Sequence, residues 1–306
     1  MNGILTQRLR KTAVRLLVLL AVFGTYQAHA QSGAKAEQSG RRFLFWKATS
    51  PTATVYLLGS VHLGTPDYYP LPASMESAFA ASKVLAVEIN VKDVDPNGLL
   101  GPVQEQGMYK EGDSLSQHIP HETSDALDKF CSSSGLPRDM FERFKPWLAA
   151  MTITVLAAER DGQDPKLGID LHFLNETTPP QRVEELESAD FQISVLSSGS
   201  EQEQQELLAS TLKQAEKANE STQALKRAYL AGSEGEIEQK MEESMPKSFY
   251  KRLLDDRNVK MAAHIEDYLK GSQQCFVVVG AGHLIGEKGI VKILQDKNYH
   301  VERVAP

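Results

Sequence analysis

The alternation of apolar and polar positions repeats one pattern near both ends of the chain. Near the front, the apolar run Thr54–Leu58 indicates a strand, and the tetrapeptide Gly-Ser-Val-His follows it at 59–62. Near the end, Cys275–Val279 is a run rich in β-branched residues, typical of a buried strand, and Gly-Ala-Gly-His follows it at 280–283. The motif G-x-x-H therefore occurs twice, each time where a strand is predicted to end.

The segments after the two motifs also match. A helical pattern at Ala73–Ser82 precedes the apolar strand Val84–Ile89 in the front unit, and a helix carrying Ile290 and Leu294 precedes the alternating strand Tyr299–Val304 in the rear unit. This repetition predicts an α/β fold. We expect a central sheet built from two related strand–GxxH–helix–strand halves, with the strands that end at Gly59 and Gly280 in the same sheet.

The carboxyl ends of the predicted strands carry the candidate chemistry. His62 and His283 follow two strands, and Glu88 lies at the end of a third. Open α/β sheets bind ligands at this edge, so the three side chains can meet in one cleft. A buried carboxylate without a partner is costly, which favours a functional role for Glu88 over a place in the core.

The segment between the two units reads as mainly helical. From about residue 96 to 247, apolar positions recur at helical spacing, so a largely helical insertion is predicted there. Ser248–Leu269 then forms a helix whose apolar face includes the polar residue Asn258, next to Arg257. Such a buried polar pair needs partners, and it can either tie the helix to neighbouring carbonyl groups or take part in catalysis.

The first 30 residues resemble a secretory signal peptide. Basic residues (Arg8, Arg10, Lys11 and Arg15) precede the apolar stretch Leu16–Phe23, and Ala28-His29-Ala30 is a small-residue cleavage signal. We expect an exported protein, periplasmic or secreted, with residues 31–42 as a flexible tether and 43–306 as a single domain. The alternative is an uncleaved anchor. No later apolar run is long enough for a stable membrane span after cleavage.

Net charge and cysteine spacing limit the classes of binding partner and of metal site that the chain can have. The formal net charge of the 306 residues is -7, and cleavage of the basic leader would make it more negative, which argues against nucleic acid as a partner. A peptide or small-molecule substrate is expected instead. Cys131 and Cys275 lack the spacing of a metal site, and their pairing in a disulfide is left open by the sequence.

Four stretches carry a family resemblance. YLLGSVHLG, VLAVEIN, LLDDRNVKMAAHI and VVGAGHLIGEKGIVKILQDKNYHVERV resemble the TraB/GumN family, which includes the TIKI-type metalloproteases and is related to erythromycin-esterase-like and ChaN-like proteins. The resemblance extends from about residue 43 to 304. It implies a hydrolase with paired G-x-x-H motifs and a glutamate in its site.

These residues suit an open metal centre. Two imidazoles and one carboxylate, from His62, Glu88 and His283, can bind a divalent metal ion such as Mn, Co or Zn and leave one position for water. The metal would activate that water to cleave a peptide or ester bond. Arg257 is the fourth candidate catalytic residue, as the group that stabilises the oxyanion.

Two other functions use the same residues, and a third rests on a neighbouring glycine pattern. In a metal-free esterase-like hydrolase, one histidine is the general base and Glu88 orients it. A non-catalytic binding protein on the same fold is also compatible with the pattern. The glycines at 280, 282 and 286 resemble a dinucleotide loop, but the chain leaves no room after them for the rest of a nucleotide-binding half.

Overall fold

Six strands form one mixed sheet in the computed structural model, which describes residues 41–305 together with all their side chains except those of Pro96, Ala218, Asn219 and Ser221. The order across the sheet is β4-β3-β5-β2-β1-β6. The strands are β1 (Phe45–Thr49), β2 (Thr54–Ser60), β3 (Val84–Val87), β4 (Arg182–Glu185), β5 (Gln274–Gly280) and β6 (His300–Arg303). A mixed sheet accompanied by many helices confirms the predicted α/β class.

The centre of the sheet is parallel. Strand β5 lies between β2 and β3 and pairs in parallel with both. Its register sets Gly59 beside Val279 and Ser60 beside Gly280. Val277 to Val279 are at most 1% exposed, which explains the unbroken apolar run in the sequence, since central parallel strands are covered on both faces.

The order of the remaining strands differs from a simple side-by-side repeat. In the front unit, the chain runs from β2 to β3, and β5 lies between these two strands in the sheet. In the rear unit, it runs from β5 to β6, and β2 and β1 lie between them. Strand β6 pairs antiparallel with β1, which itself forms a hairpin with β2. The two units are interleaved, and the description of the sheet as two related halves stays a prediction.

Helices occupy most of the segment between β3 and β5, as predicted, although the short, largely exposed strand β4 also lies there and pairs with β3 at the edge of the sheet. The helices are α1 (Ala73–Ala81), α2 (Pro96–Gly107), α3 (His121–Ser134), α4 (Pro146–Arg160), α5 (Ile169–Glu176), α6 (Ala189–Ser197), α7 (Glu201–Glu216), α8 (Ala218–Ala231), α9 (Glu234–Ser244), α10 (Lys247–Tyr250), α11 (Asp256–Lys270) and α12 (Ile290–Asp296).

Helix α11 is the element that connects the core to the site. A π-helical turn at Lys251–Asp255 joins it to α10. Its apolar stripe, which includes Met261 and Ile265, is fully buried, and the same face carries Arg257 and Asn258 into the interior. The predicted amphipathic pattern of this segment is therefore confirmed, and the polar pair lies on its buried side.

Two expectations concern the ends of the chain and its thiols. The predicted signal peptide, residues 1–30, and residues 31–40 of the tether lie outside the described residues. Among residues 41–305, no helix combines the length and apolar character that a membrane crossing requires. Cys131 and Cys275 are both buried free thiols.

Candidate active site

Three adjacent parallel strands deliver the predicted site residues to one edge of the sheet. His62 lies two residues after β2, Glu88 directly follows β3, and His283 closes the 3₁₀ turn Ala281–His283 after β5. Because β3, β5 and β2 are neighbours and run in the same direction, their carboxyl ends meet. The local sequence places each residue at a strand end, and the strand order brings the three ends together.

Glu88 is the most heavily bonded of these residues. The backbone N–H of Gly280 donates to its Oε1 at 2.7 Å, and Gln192 Nε2 donates to its Oε2 at 3.0 Å. Arg257 Nη2 also donates to Oε2, at 2.5 Å. Burial alone would raise the pKa of this carboxyl, but the guanidinium, the nearby histidines and the Gly280 N–H hold the pKa far below its usual range. Glu88 is therefore ionised throughout the physiological range.

Arg257 lies between two buried carboxylates. Besides Glu88, its Nε and Nη2 donate to Glu187, with the shortest contact at 2.6 Å from Nη2 to Oε2. Its Nη1 donates to the Leu253 carbonyl at 2.9 Å. Only 6% of the Arg257 side chain and 3% of that of Glu187 are exposed. Most of the guanidinium donors are committed to protein groups, so the arginine holds Glu88 and Glu187 in place.

His283 is fixed by Asn258. The two side chains meet at 2.6 Å between Nδ1 and Oδ1, and Asn258 Nδ2 donates to the Lys288 carbonyl at 2.9 Å. Since a carbonyl only accepts, the amide nitrogen of Asn258 must face Lys288, and its oxygen must face His283. The imidazole then carries its proton on Nδ1. Its Nε2 is then an acceptor that makes no hydrogen bond within residues 41–305 and lies 3.7 Å from Glu88 Oε1.

The two histidines differ in charge. Burial, assisted by the positive charges of Arg257 and His62, lowers the pKa of His283 to about 4 against the opposing effect of Glu88. Burial also acts against the charged form of His62, but Asp170, whose Oδ2 is 3.2 Å from Nδ1, outweighs it and, with Glu88, raises the pKa to about 9. At neutral pH, His283 is neutral and His62 is an imidazolium, still 38% exposed to solvent.

Two cavities flank this arrangement. A larger one of about 460 Å³ is lined by Asn258, by Gly282 and by several charged residues. A smaller one opens beside His62 and Glu88. Its lining consists of Ser60, His62, Val87, Glu88, Ile89, Val91, Asp170, Gln192 and Val278. The smaller cavity is thus lined by both the imidazolium of His62 and the carboxylate of Glu88.

Comparison with known proteins gives the family. The model of the TraB/PrgY/gumN family matches residues 44–303, which is most of the chain. The chain belongs to the TraB/PrgY/gumN family. The resemblance carried by the paired G-x-x-H motifs is thereby confirmed, and the match extends through the helical segment between them.

Individual relatives of this TraB/PrgY/gumN chain are distant. It is 28% identical over 142 residues to the uncharacterized protein YbaP of Escherichia coli (strain K12), which covers 46% of this chain and 51% of YbaP. An uncharacterized protein of Treponema pallidum (strain Nichols) is 20% identical over 275 residues, which covers 85% of this chain and 82% of that protein. The chain thus spans about half of YbaP. No solved structure matches significantly.

The arrangement of His62, Glu88 and His283 in the structure does not fit the predicted metal centre. Both oxygens of Glu88 are engaged, one of them by a cationic guanidinium that would compete with a metal ion for the same lone pairs. Within residues 41–305, no three His, Cys, Asp or Glu side chains are grouped so that they could hold a metal ion. Mn, Co or Zn at His62, Glu88 and His283 remains a prediction from the sequence.

Sequence reasoning singled out Arg257 and Asn258 but missed the other partners of the predicted residues. Glu187 lies two residues after the end of β4, and its backbone N–H donates to the Glu88 carbonyl at 3.0 Å. The acidic residue at the end of a second strand was therefore a usable signal. Asp170 and Gln192 gave none, because each lies in the first turns of an ordinary helix, far from the histidines in sequence.

Proposed function

We propose that this protein is a hydrolase that adds water to the carbonyl of a peptide or ester bond, with His283 as the general base, His62 as the general acid and Glu88 as the group that stabilises the charged base. The observation that carries the proposal is the hydrogen bond from His283 Nδ1 to Asn258 Oδ1. It leaves Nε2 of a buried, neutral histidine as a proton acceptor at the edge where the family's motifs meet.

His283 suits the role of base because its lone pair has one defined direction. Asn258 fixes the tautomer and the ring orientation, which is how a second group usually sets a catalytic histidine. When Nε2 takes a proton from water, the imidazolium faces Glu88 Oε1 across 3.7 Å. A small approach would then make a charge-assisted hydrogen bond that did not exist before the proton moved. Stabilisation that appears only during the reaction accelerates it.

His62 suits the role of acid because it holds a proton at neutral pH. Its Nδ1 donates to Asp170 Oδ2, which leaves the Nε2–H for the leaving group or for a developing oxyanion. A site with two titratable groups whose pKa values are driven apart has the acid and the base available at the same time. The partial exposure of His62 gives substrate a way to reach it.

The chemical steps balance with these two residues. Water oxygen forms a bond to the carbonyl carbon while one water proton passes to His283 Nε2. The bond to the amine nitrogen or alcohol oxygen then breaks as that atom takes the proton of His62. The products are an acid and an amine or alcohol, and transfer of the proton from His283 to His62 through solvent restores the site.

Arg257 has a positioning role in this scheme. Its guanidinium is bonded to Glu88, Glu187 and the Leu253 carbonyl, so little of it is left for an oxyanion. Its contribution is to hold Glu88 ionised and in a single orientation next to His283. The sequence-based expectation of an oxyanion-stabilising arginine is thus replaced, in our proposal, by an arginine that acts through the glutamate.

We further propose that the protein acts after export, on the basis of the leader-like sequence of residues 1–30. The test of the whole proposal starts with the mature protein, incubated with peptide and ester libraries. His283→Ala is expected to lower turnover by about 10²- to 10⁴-fold, the range of general acid–base catalysis. His264→Ala, at an exposed position of helix α11, is the matched control and should retain full activity.

The folded state of each variant is checked by thermal denaturation before kinetics. Full turnover by a folded His283→Ala protein on a verified substrate would show that the site has been assigned to the wrong residues. Failure of the wild-type protein to hydrolyse any member of either library, together with tight binding of one of them, would favour the non-catalytic binding protein instead.

A further inference from the structure

We propose that Ser60 and Asp170 form the binding site for the water molecule that is consumed in hydrolysis, which makes the hydroxyl of the first G-x-x-H motif a positioning group. The inference rests on the proposed function for its catalytic part. The water site itself lies in the small cavity beside His62 and can be tested without a substrate.

The register of the sheet directs Ser60 toward this cavity. Ser60 is paired with Gly280 on the neighbouring parallel strand, so the two residues point to the same face. Gly280 has no side chain, and a Cβ at that position would lie 3.2 Å from Glu88 Oε1 and 3.6 Å from His283 Cδ2. A side chain at position 280 would therefore crowd both groups, which places Glu88 and His283 on the face of the sheet toward which Ser60 points.

Two buried polar atoms in the cavity lack a partner among the described residues. They are Ser60 Oγ and Asp170 Oδ1, and Ser60 as a whole is only 2% exposed. A buried polar atom without a hydrogen bond is destabilising by about 1–3 kcal/mol, so such atoms are normally satisfied by protein groups or water. Both residues line the same small cavity, together with His62 and Glu88.

A single water molecule matches this cavity in size and in hydrogen-bonding capacity. The volume of about 20 Å³ accommodates one water, which requires at least about 10–15 Å³ and two to four polar partners. Asp170 Oδ1 can only accept, and the Ser60 hydroxyl can donate. A water that donates to Asp170 and accepts from Ser60 keeps its second O–H for another acceptor, which in the proposed function is Nε2 of His283.

The same geometry argues against Ser60 as a covalent nucleophile. A nucleophilic serine is activated by a hydrogen bond to an adjacent base. Ser60 Oγ makes no hydrogen bond to a histidine or carboxylate within residues 41–305. Its hydroxyl hydrogen is therefore available to hold a water oxygen while His283 removes a proton from that water.

The kinetic test compares three variants of the full mature chain. Ser60→Ala is expected to lower kcat by about 10- to 100-fold with KM within about twofold, because the bound substrate is unaffected while the water loses its position. Ser60→Thr, which keeps the hydroxyl, should recover most of the loss. Ser74→Ala is the matched control, since Ser74 Oγ is also buried without a partner among the described residues but does not line this cavity.

The structural test is a high-resolution crystal structure of the wild-type protein and of Ser60→Ala. An ordered water within about 3.2 Å of Ser60 Oγ and Asp170 Oδ1 in the wild type, and its loss in the variant, is the expected result. A dry cavity in the wild type would overturn the water site. Equal kcat for Ser60→Ala and Ser74→Ala, or an acyl group on Ser60 seen by mass spectrometry, would overturn its catalytic role.

The two levels of the proposal fail separately. If the wild-type protein hydrolyses nothing, the proposed function is wrong, and the crystal structures still decide whether Ser60 and Asp170 bind a water. If the protein hydrolyses a substrate and His283→Ala abolishes turnover while Ser60→Ala does not reduce it, the proposed function stands and this inference is wrong.

Discussion

Asn258 Oδ1 accepts a hydrogen bond from His283 Nδ1 at 2.6 Å, and the residue before it, Arg257, holds Glu88 through a 2.5 Å contact to Oε2. Two consecutive residues of helix α11 thus fix the two groups of the site that come from different strands. The π-helical turn immediately before this helix is a feature often found at functional sites. The pair connects the orientation of the base to that of the carboxylate.

Removal of the Asn258 side chain should impair both activity and stability. In Asn258→Ala, the His283 ring can rotate and change tautomer, and we expect kcat to fall about 10²-fold through misplacement of the base. The buried His283 Nδ1–H and the Lys288 carbonyl lose their partner, which destabilises the fold by about 1–3 kcal/mol. Steady-state kinetics and urea denaturation measure the two effects. Unchanged kcat in a folded Asn258→Ala protein would show that His283 is not the general base.

Replacement of Arg257 should be among the most destabilising changes in the chain. Arg257→Gln leaves Glu88 and Glu187 buried side by side without their cation, and the loss of one member of a buried ion pair costs about 3–5 kcal/mol. The double variant Arg257→Gln/Glu187→Gln should regain part of this loss, because it removes one uncompensated charge. Lys251→Gln, which breaks an exposed pair with Asp256, is the control and should change stability by less than about 0.5 kcal/mol.

The pH profile of kcat/KM should have a plateau with limbs near pH 4 and pH 9. Activity is lost on the acidic side as His283 takes up a proton and on the basic side as His62 loses one. Asp170→Asn removes the charge that raises the pKa of His62, so the basic limb should move down toward pH 6.5 or below. A basic limb that stays near pH 9 in this variant would exclude His62 as the acid.

The same shifts predict how folding stability depends on pH. The pKa of His62 is raised from 6.5 to about 9, so its pair with Asp170 stabilises the fold fully below pH 6.5 and is lost as the pH rises through 9. The pKa of His283 is lowered to about 4, so the stability from its buried neutral form is present above pH 6.5 and is lost as the pH falls through 4. Denaturation across pH 3–10 in wild type, Asp170→Asn and His283→Ala separates the two contributions.

Chelation distinguishes the site described here from a metal centre. Because Arg257 occupies Glu88 Oε2, we expect turnover to be unchanged by a chelator at millimolar concentration and by added Mn, Co or Zn. Metal analysis of the purified mature protein provides an independent measurement. Loss of turnover with chelator, followed by recovery with one of these ions, would restore the metal-dependent mechanism that the residue types alone suggested.

The sequence determined the local elements and the positions of the reactive residues in them. Apolar runs predicted the strands before His62 and His283, and helical spacing predicted the face of α11 that carries Arg257 and Asn258. These features follow from periodicity and turn chemistry, which act over a few residues. The placement of Glu88 at the end of a buried strand was therefore visible before the fold was known.

Only the tertiary structure decided what those residues contact. The insertion of β5 between β2 and β3, the approach of Glu187 to Arg257 and that of Asp170 to His62 join segments distant in the chain, and periodicity carries no information about such pairings. The opposite pKa shifts of two histidines in the same motif follow from burial and from neighbouring charges. Identical local sequence patterns thus acquire different chemistry, because electrostatic energies depend on distance in space and on exclusion of water.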